Sequence, residues 1–159
     1  MKILSLPTFL ALYIMRTPEF YAAVYGIVKN PEGKILFQRR ANSGFNDGIL
    51  QLPSGHIEWE ESYFEALQRE MLEEIGIELQ ESDVKLCHIL HRVNRGNRVY
   101  FDIFFEIQNY IWNIQNKEPH KCTELDFFDL SHPDITPYNI LVIEEIKKWN
   151  MSTEVFHTL

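Results

Sequence analysis

Seven carboxylates crowd one stretch of this sequence, Gly55 to Ile77 (GHIEWEESYFEALQREMLEEIGI): Glu58, Glu60, Glu61, Glu65, Glu70, Glu73 and Glu74. On a helix, Glu70, Glu73 and Glu74 stand at i, i+3 and i+4, so their side chains meet within an arc of roughly 100°. Like charges at that spacing repel and weaken the helix. A divalent cation reverses the sign of that interaction, and clustered hard oxygen donors suit Mg²⁺ or Mn²⁺. The plainer reading of the same residues is a solvated acidic helix face.

The elements that would position these carboxylates are written around them. Phe64, Leu67, Met71, Leu72 and Ile75 recur at the spacing of one apolar helical face, which predicts a helix with its carboxylate trio pointing away from the core. Ser62 is the expected N-cap, and Glu65 three places on completes a capping box. Gly76 is the expected C-terminal stop.

The whole pattern is more specific than the helix. Gly55, five residues, Glu61, seven residues, then Arg69-Glu70-Met71-x-Glu73-Glu74-x-Gly76-Ile77 fills every defining position of a Nudix box. The chain therefore resembles a Nudix hydrolase, and the similarity runs from about Tyr21 to about Trp149. Arg40 to His56 (RRANSGFNDGILQLPSGH) resembles the MutT-like nucleotide pyrophosphohydrolase branch more than the ADP-ribose branch. One departure stands out: many relatives carry two glycines where this chain has Ser54-Gly55.

The resemblance implies the following roles. Glu70, Glu73 and Glu74 are metal ligands, the backbone carbonyl of Gly55 adds another, and Glu61 supports the cluster. Arg69 orients a carboxylate through a charge-assisted bond. Glu70 or Glu74 helps deprotonate the attacking water, and Glu118, or else Glu124, is the further base outside the box. Mg²⁺ is the expected cofactor, with Mn²⁺ as substitute. A phosphoanhydride is protected by its own negative charge, and cations held by carboxylates offset that charge and make hydroxide available near neutral pH. The implied reaction is hydrolysis of a nucleoside diphosphate linked to another group, a nucleoside triphosphate giving monophosphate and pyrophosphate. The alternatives are a dinucleotide polyphosphate, nucleotide sugar or ADP-ribose hydrolase, and a non-catalytic nucleotide-binding module. The implied fold is a Nudix-type α/β/α sandwich with a mixed β-sheet, the box helix on one side and the C-terminal helix on the other; pattern alone gives α/β or α+β.

Composition bounds the rest. The chain has 159 residues, enough for one domain with a full core. Its net charge of −8 argues against binding along a nucleic-acid backbone. Cys87 and Cys122 form no metal-ligand spacing and point to a reducing, cytoplasmic setting. Met1 to Met15 (MKILSLPTFLALYIM) is apolar, but Pro7 interrupts it and it is too short to span a membrane. Residues 1–16 are expected to be an extension outside the core, with a single domain over 17–159. A homodimer is compatible with that apolar arm.

Along the chain, Tyr21–Lys29 and Lys34–Arg40 are expected to be strands joined by the Asn30-Pro31-Glu32-Gly33 turn, hence a hairpin. Alternation puts only one of Arg39 and Arg40 on the face of Phe37, and either could meet a phosphate. Ile49–Pro53 and Val84–His91 are further expected strands, the latter placing His88 and His91 on opposite faces. Arg98–Ile107 alternates cleanly and is expected to be a central antiparallel strand. Asn116–Leu125 is expected to be a loop, Phe127–Leu130 strand-like, and Thr136-Pro137 the start of a last helix with Ile140, Val142, Ile143, Ile146 and Trp149 on its core side. Phe45, Phe104, Tyr138 and Asn139 are the candidates for holding a base; Trp59 and Trp112 are candidate lids or packing residues.

Overall fold

The computed structural model describes residues 18–44, 46–94, 97–111 and 113–158. Phe45, Trp112 and the expected extension 1–16 lie outside the described residues. Strands β1 (Glu19–Val28), β2 (Ile35–Arg40), β3 (Leu50–Gln51) and β4 (Ser54–His56) lead into helix α1 (Tyr63–Ile75). A short 3-10 turn (Glu81–Asp83) precedes β5 (Val84–Asn94), β6 (Arg98–Ile107), β7 (Cys122–Phe128), helix α2 (Pro137–Lys147) and β8 (Ser152–Thr158).

The strands form two sheets. Five order as β4-β1-β6-β5-β8 and three as β3-β2-β7. The expected hairpin is thereby corrected: β1 and β2 belong to different sheets. The turn itself is real, with Asn30 N–H donating to Lys34 O and an antiparallel bridge from Lys29 to Ile35, but the strands part after that bridge. β6 is central, as expected, yet antiparallel only to β5; to β1 it is parallel. No local signal distinguishes the two pairings, because a strand's own alternation is the same in both.

Two apolar cores fill the faces. Leu67, Met71 and Ile75 of α1 pack on Val24, Val28, Leu36 and Phe105. Val142 and Ile143 of α2 pack on Ile27, Phe37, Leu90 and Phe104. Neighbouring residues such as Leu36 and Phe37, or Phe104 and Phe105, serve opposite cores, as period-2 alternation requires. The mixed sheets therefore lie between the box helix and the C-terminal helix, the expected architecture. Each fully buried aliphatic side chain contributes about 1.5–3 kcal/mol. Against Met71, Gly26 leaves no room for a side chain, since a Cβ there would lie 2.5 Å from Sδ.

Local signals for α1 hold in detail. Ser62 Oγ accepts from Glu65 N–H and the Glu65 carboxylate accepts from Ser62 N–H, the full capping box. Gly76 takes the left-handed conformation at φ 74° and donates to Leu72 O. The apolar stripe is narrower than its spacing suggests: Ala66 is buried, whereas Leu72 is 48 % exposed. Thr136 caps α2, its hydroxyl accepting from Asn139 N–H, with Pro137 next. Trp149 does not join the core; it sits past the helix at φ 63° and is 86 % exposed. β7 begins five residues before the expected strand, inside the stretch read as loop, because pairing with β2 extends it. β8 is an unexpected strand, parallel to β5. Among the described residues no helix is long and apolar enough to cross a membrane.

Candidate active site

Helix α1 lays its carboxylates against the β4 strand. The Glu70 carboxylate fills the space beside Gly55, so closely that a Cβ on residue 55 would lie 1.8 Å from Glu70 Oε1. Burial raises the Glu70 pKa above its ordinary value, against the opposing bond from Arg69. One turn on, Glu74 is deeper. Its Oε2 accepts from Ser54 N–H at 2.8 Å and from Gln38 Nε2 at 3.0 Å. Burial pushes its pKa up to about 7, these two bonds opposing the shift. Glu74 is thus an acid held by neutral donors only. Glu73 is more open and lies 3.6 Å from Arg69 Nη1.

Arg69 is the organising cation. Its Nε donates to Glu61 Oε1 at 2.6 Å and its Nη2 to Glu61 Oε2 at 3.0 Å, a bidentate fork. Its Nη1 donates to Glu70 Oε1 at 2.6 Å, and Nη2 reaches His56 O at 3.0 Å. The fork holds the Glu61 pKa down at about 2, helped by the Glu58 N–H. Arg69 thus bonds two carboxylates at once, Glu61 and Glu70.

Among the described residues, no three His, Cys, Asp or Glu side chains converge tightly enough to hold a metal ion. The physical reason is visible: Arg69 draws Glu61 and Glu70 together, while Gln38 and Ser54 draw Glu74 toward the sheet. The donor set nonetheless fits a hard divalent cation. It offers carboxylate oxygens on one helix face, a half-buried acid whose donors among the described residues are neutral, and a glycine backbone pressed against a carboxylate.

The two candidate outside bases separate. Glu118 lies near enough to Glu70 and Glu74 to raise the pKa of both, and Lys121 Nζ donates to it at 2.6 Å. Glu124 instead faces Arg39 across the β2–β7 pair, accepting from Nε at 2.6 Å. Arg39 also gives Nη1 to Asp134 at 2.8 Å and to Gly48 O at 2.7 Å. That commitment makes it a brace between β2, β7 and two loops. Arg40 is within electrostatic reach of Asp47 and of the buried Tyr25.

A second polar cluster lies under the start of α2. Arg92 makes two bonds to the buried Asp102, one from Nε to Oδ2 and one from Nη2 to Oδ1 at 3.1 Å. The Arg92 guanidinium stands over the Tyr100 ring at 4.5 Å and the Tyr138 ring at 5.2 Å. Asn139 is buried and its Nδ2 has no hydrogen-bond partner among the described residues. Phe104 resolves to packing: it stacks on Tyr25 at 4.5 Å within the α2 core. His88 and His91 do take opposite faces, His88 against Phe104 and His91 stacked on Phe101. Trp59 is 91 % exposed.

Gln38 escaped the sequence reading. The signal was present: an amide inside a run of buried residues, Ile35 to Phe37, needs a partner.

A NUDIX domain family model matches residues 19–145. Among solved structures, the chain is similar to a MutT protein from Methanosarcina mazei Go1, at 22% identity over 82% of this chain and 95% of that one, TM-score 0.71. A MutT NUDIX hydrolase from Burkholderia pseudomallei matches at 21% identity over 79% and 97%, TM-score 0.69. An ADP-ribose pyrophosphatase from Streptococcus suis 89-1591 matches at 16% identity over 86% and 98%, TM-score 0.57. These likenesses establish a shared fold.

Proposed function

The chain belongs to the Nudix family, and on that premise we propose that it is a Mg²⁺-dependent hydrolase of nucleoside triphosphates, releasing monophosphate and pyrophosphate. The observation that carries the reading is the half-buried Glu74 carboxylate, whose hydrogen-bond donors among the described residues are the neutral Gln38 amide and Ser54 N–H. Glu70, Glu73 and Glu74 would hold the cation, with Gly55 and Glu61 completing and supporting the set. The bound ion would offset phosphate charge and make hydroxide available at neutral pH. Mn²⁺ would serve in its place.

The chain's own groups supply the remainder. Arg69 keeps Glu61 and Glu70 in fixed orientation, so little reorganisation is needed when substrate arrives. Glu118, within electrostatic reach of Glu70 and Glu74, takes the proton of the attacking water. Tyr138 offers a ring face to a base, and the unpartnered Asn139 Nδ2 is a donor for a base acceptor such as a ring nitrogen or carbonyl. Arg39 or Arg40 meets a phosphate; Arg39 also donates to Glu124, Gly48 O and Asp134. The resemblance of Arg40 to His56 to the nucleotide pyrophosphohydrolase branch supports the triphosphate over the other substrates of the family.

The test is product analysis. The purified chain with Mg²⁺ is given canonical and oxidised nucleoside triphosphates, nucleotide sugars, dinucleotide polyphosphates and ADP-ribose, and products are separated by chromatography. Monophosphate with pyrophosphate is expected. Orthophosphate release, or cleavage confined to ADP-ribose or a sugar nucleotide, overturns the substrate assignment. Tight nucleotide binding with no product over hours would make the chain a binding module. Glu73→Gln and Glu74→Gln should each lower kcat by orders of magnitude with circular dichroism unchanged.

A further inference from the structure

We propose that Gln38 is a positioning residue for Glu74, fixing which of its carboxylate oxygens can turn to a cation. The inference rests on the reading of Glu74 as a metal ligand.

Gln38 and Gln51 are direct partners across β2 and β3, so their side chains share a face. Gln38 is buried, and its Nε2 donates to Glu74 Oε2 at 3.0 Å. Gln51 Nε2 donates to Ser54 Oγ at 3.0 Å, and the N–H of that same serine donates to Glu74 Oε2 at 2.8 Å. The two glutamines therefore act on one carboxylate, one directly and one through the Ser54 backbone. Both donors take Oε2, which leaves Oε1 to face a cation.

The residue type matters. A lysine or arginine at position 38 would also bind Glu74, but its charge would compete with the metal. An amide donates without neutralising. Ser54 has a matching role: its hydroxyl gives Gln51 something to hold, which a glycine at that position cannot. Groups that orient metal ligands in this way are typically worth 10–100-fold in metal affinity or activity.

The experiment uses the full chain and Gln38→Met, which keeps the side-chain length and removes the donor. Mn²⁺ affinity is read by electron paramagnetic resonance, and kcat and KM are measured with a nucleoside triphosphate. Expected are a 10–100-fold loss of Mn²⁺ affinity, a kcat loss of the same order, and a nucleotide KM within threefold of the parent. Mn²⁺ affinity and kcat both within twofold of the parent overturn the proposal. Should the variant not fold, the side-chain amide resonances of Gln38 in the unaltered chain decide. They should shift on Mg²⁺ saturation while those of Gln108 stay still; unmoved Gln38 resonances overturn it. An unaltered chain that neither binds Mn²⁺ nor hydrolyses any nucleotide overturns the parent reading and this one with it. A chain that does both, beside an indistinguishable Gln38→Met, overturns this one alone.

Discussion

The Glu70 carboxylate occupies the volume that any side chain at Gly55 would need: a Cβ there would lie 1.8 Å from Oε1 and 2.0 Å from Cδ. Residue 55 is a glycine for reasons of approach, its φ lying outside the left-handed region. Gly55→Ala forces Glu70 off its bond with Arg69 or pushes β4 from α1. The expected result is a loss of about 1–3 kcal/mol on chemical denaturation, the usual cost of overpacking. Turnover should fall more than tenfold. An alanine variant with parental stability and kcat would show that the helix and strand can separate freely.

Glu74 makes stability depend on pH. Its folded pKa, about 7, lies above the ordinary 4.5, so the folded state binds the proton more readily than the unfolded one. The stability this confers is complete below about pH 4.5 and is lost as pH rises through 7. The difference corresponds to about 3 kcal/mol at ~1.4 kcal/mol per pH unit. With chelator at pH 8, Glu74→Gln should therefore melt higher than the parent, and the two should coincide near pH 4.5. Mg²⁺ should close the gap at pH 8 by stabilising the parent. Equal Tm values at pH 8 under chelation would count against a buried charge at this position.

Arg69 is predicted to resist conservative exchange. Lysine has one point of charge and cannot form the fork to Glu61 while also reaching Glu70. Arg69→Lys should lower kcat by about 10-fold or more, mostly through kcat, because the loss is orientation of carboxylates and not nucleotide contact. The same variant should lose stability at pH 7. Glu61, whose pKa is depressed, gives stability that is present above pH 4.5 and lost as pH falls toward 2, so the penalty should shrink on acidification. Steady-state kinetics and acid titration of the unfolding midpoint check both parts.

Glu118 and Glu124 should part company in the same assay. Glu118→Gln is expected to lower kcat 10–1000-fold. Glu124→Gln should leave kcat within a few-fold of the parent and cost stability, since it weakens the brace on Arg39. The reverse pattern would reassign the base.

Whatever depended on nearest neighbours in the chain could be read from it. The capping box at Ser62 and Glu65, the left-handed Gly76 and the Thr136-Pro137 start are local events, and all appear in place. Pairing is different. Strand alternation says which residues share a face but not which strand lies alongside, so β1 and β2 were expected to form a hairpin and instead enter two sheets. The same limit hid the difference between Glu118 and Glu124: only the β2–β7 register puts Glu124 opposite Arg39. Gln38 was hidden because its partner lies 36 residues away. Leu72 and Trp149 were misplaced because an apolar residue near a stripe need not be in it; α1 meets the sheet along a narrow seam, and α2 stops before Trp149.

The last strand carries a burden of its own. β8 lies past the residues shared with the family and shields the outer margin of β5 from Ile89 to Asn94, whose bare backbone groups would otherwise invite a neighbouring molecule to zip on. In its place the rim becomes seven residues long and bears Glu154, a poorer template for stacking. Colloidal good behaviour is thereby delegated to a segment remote from the chemistry. A molecule trimmed after α2 should keep every catalytic group yet clump at concentrations the intact one tolerates.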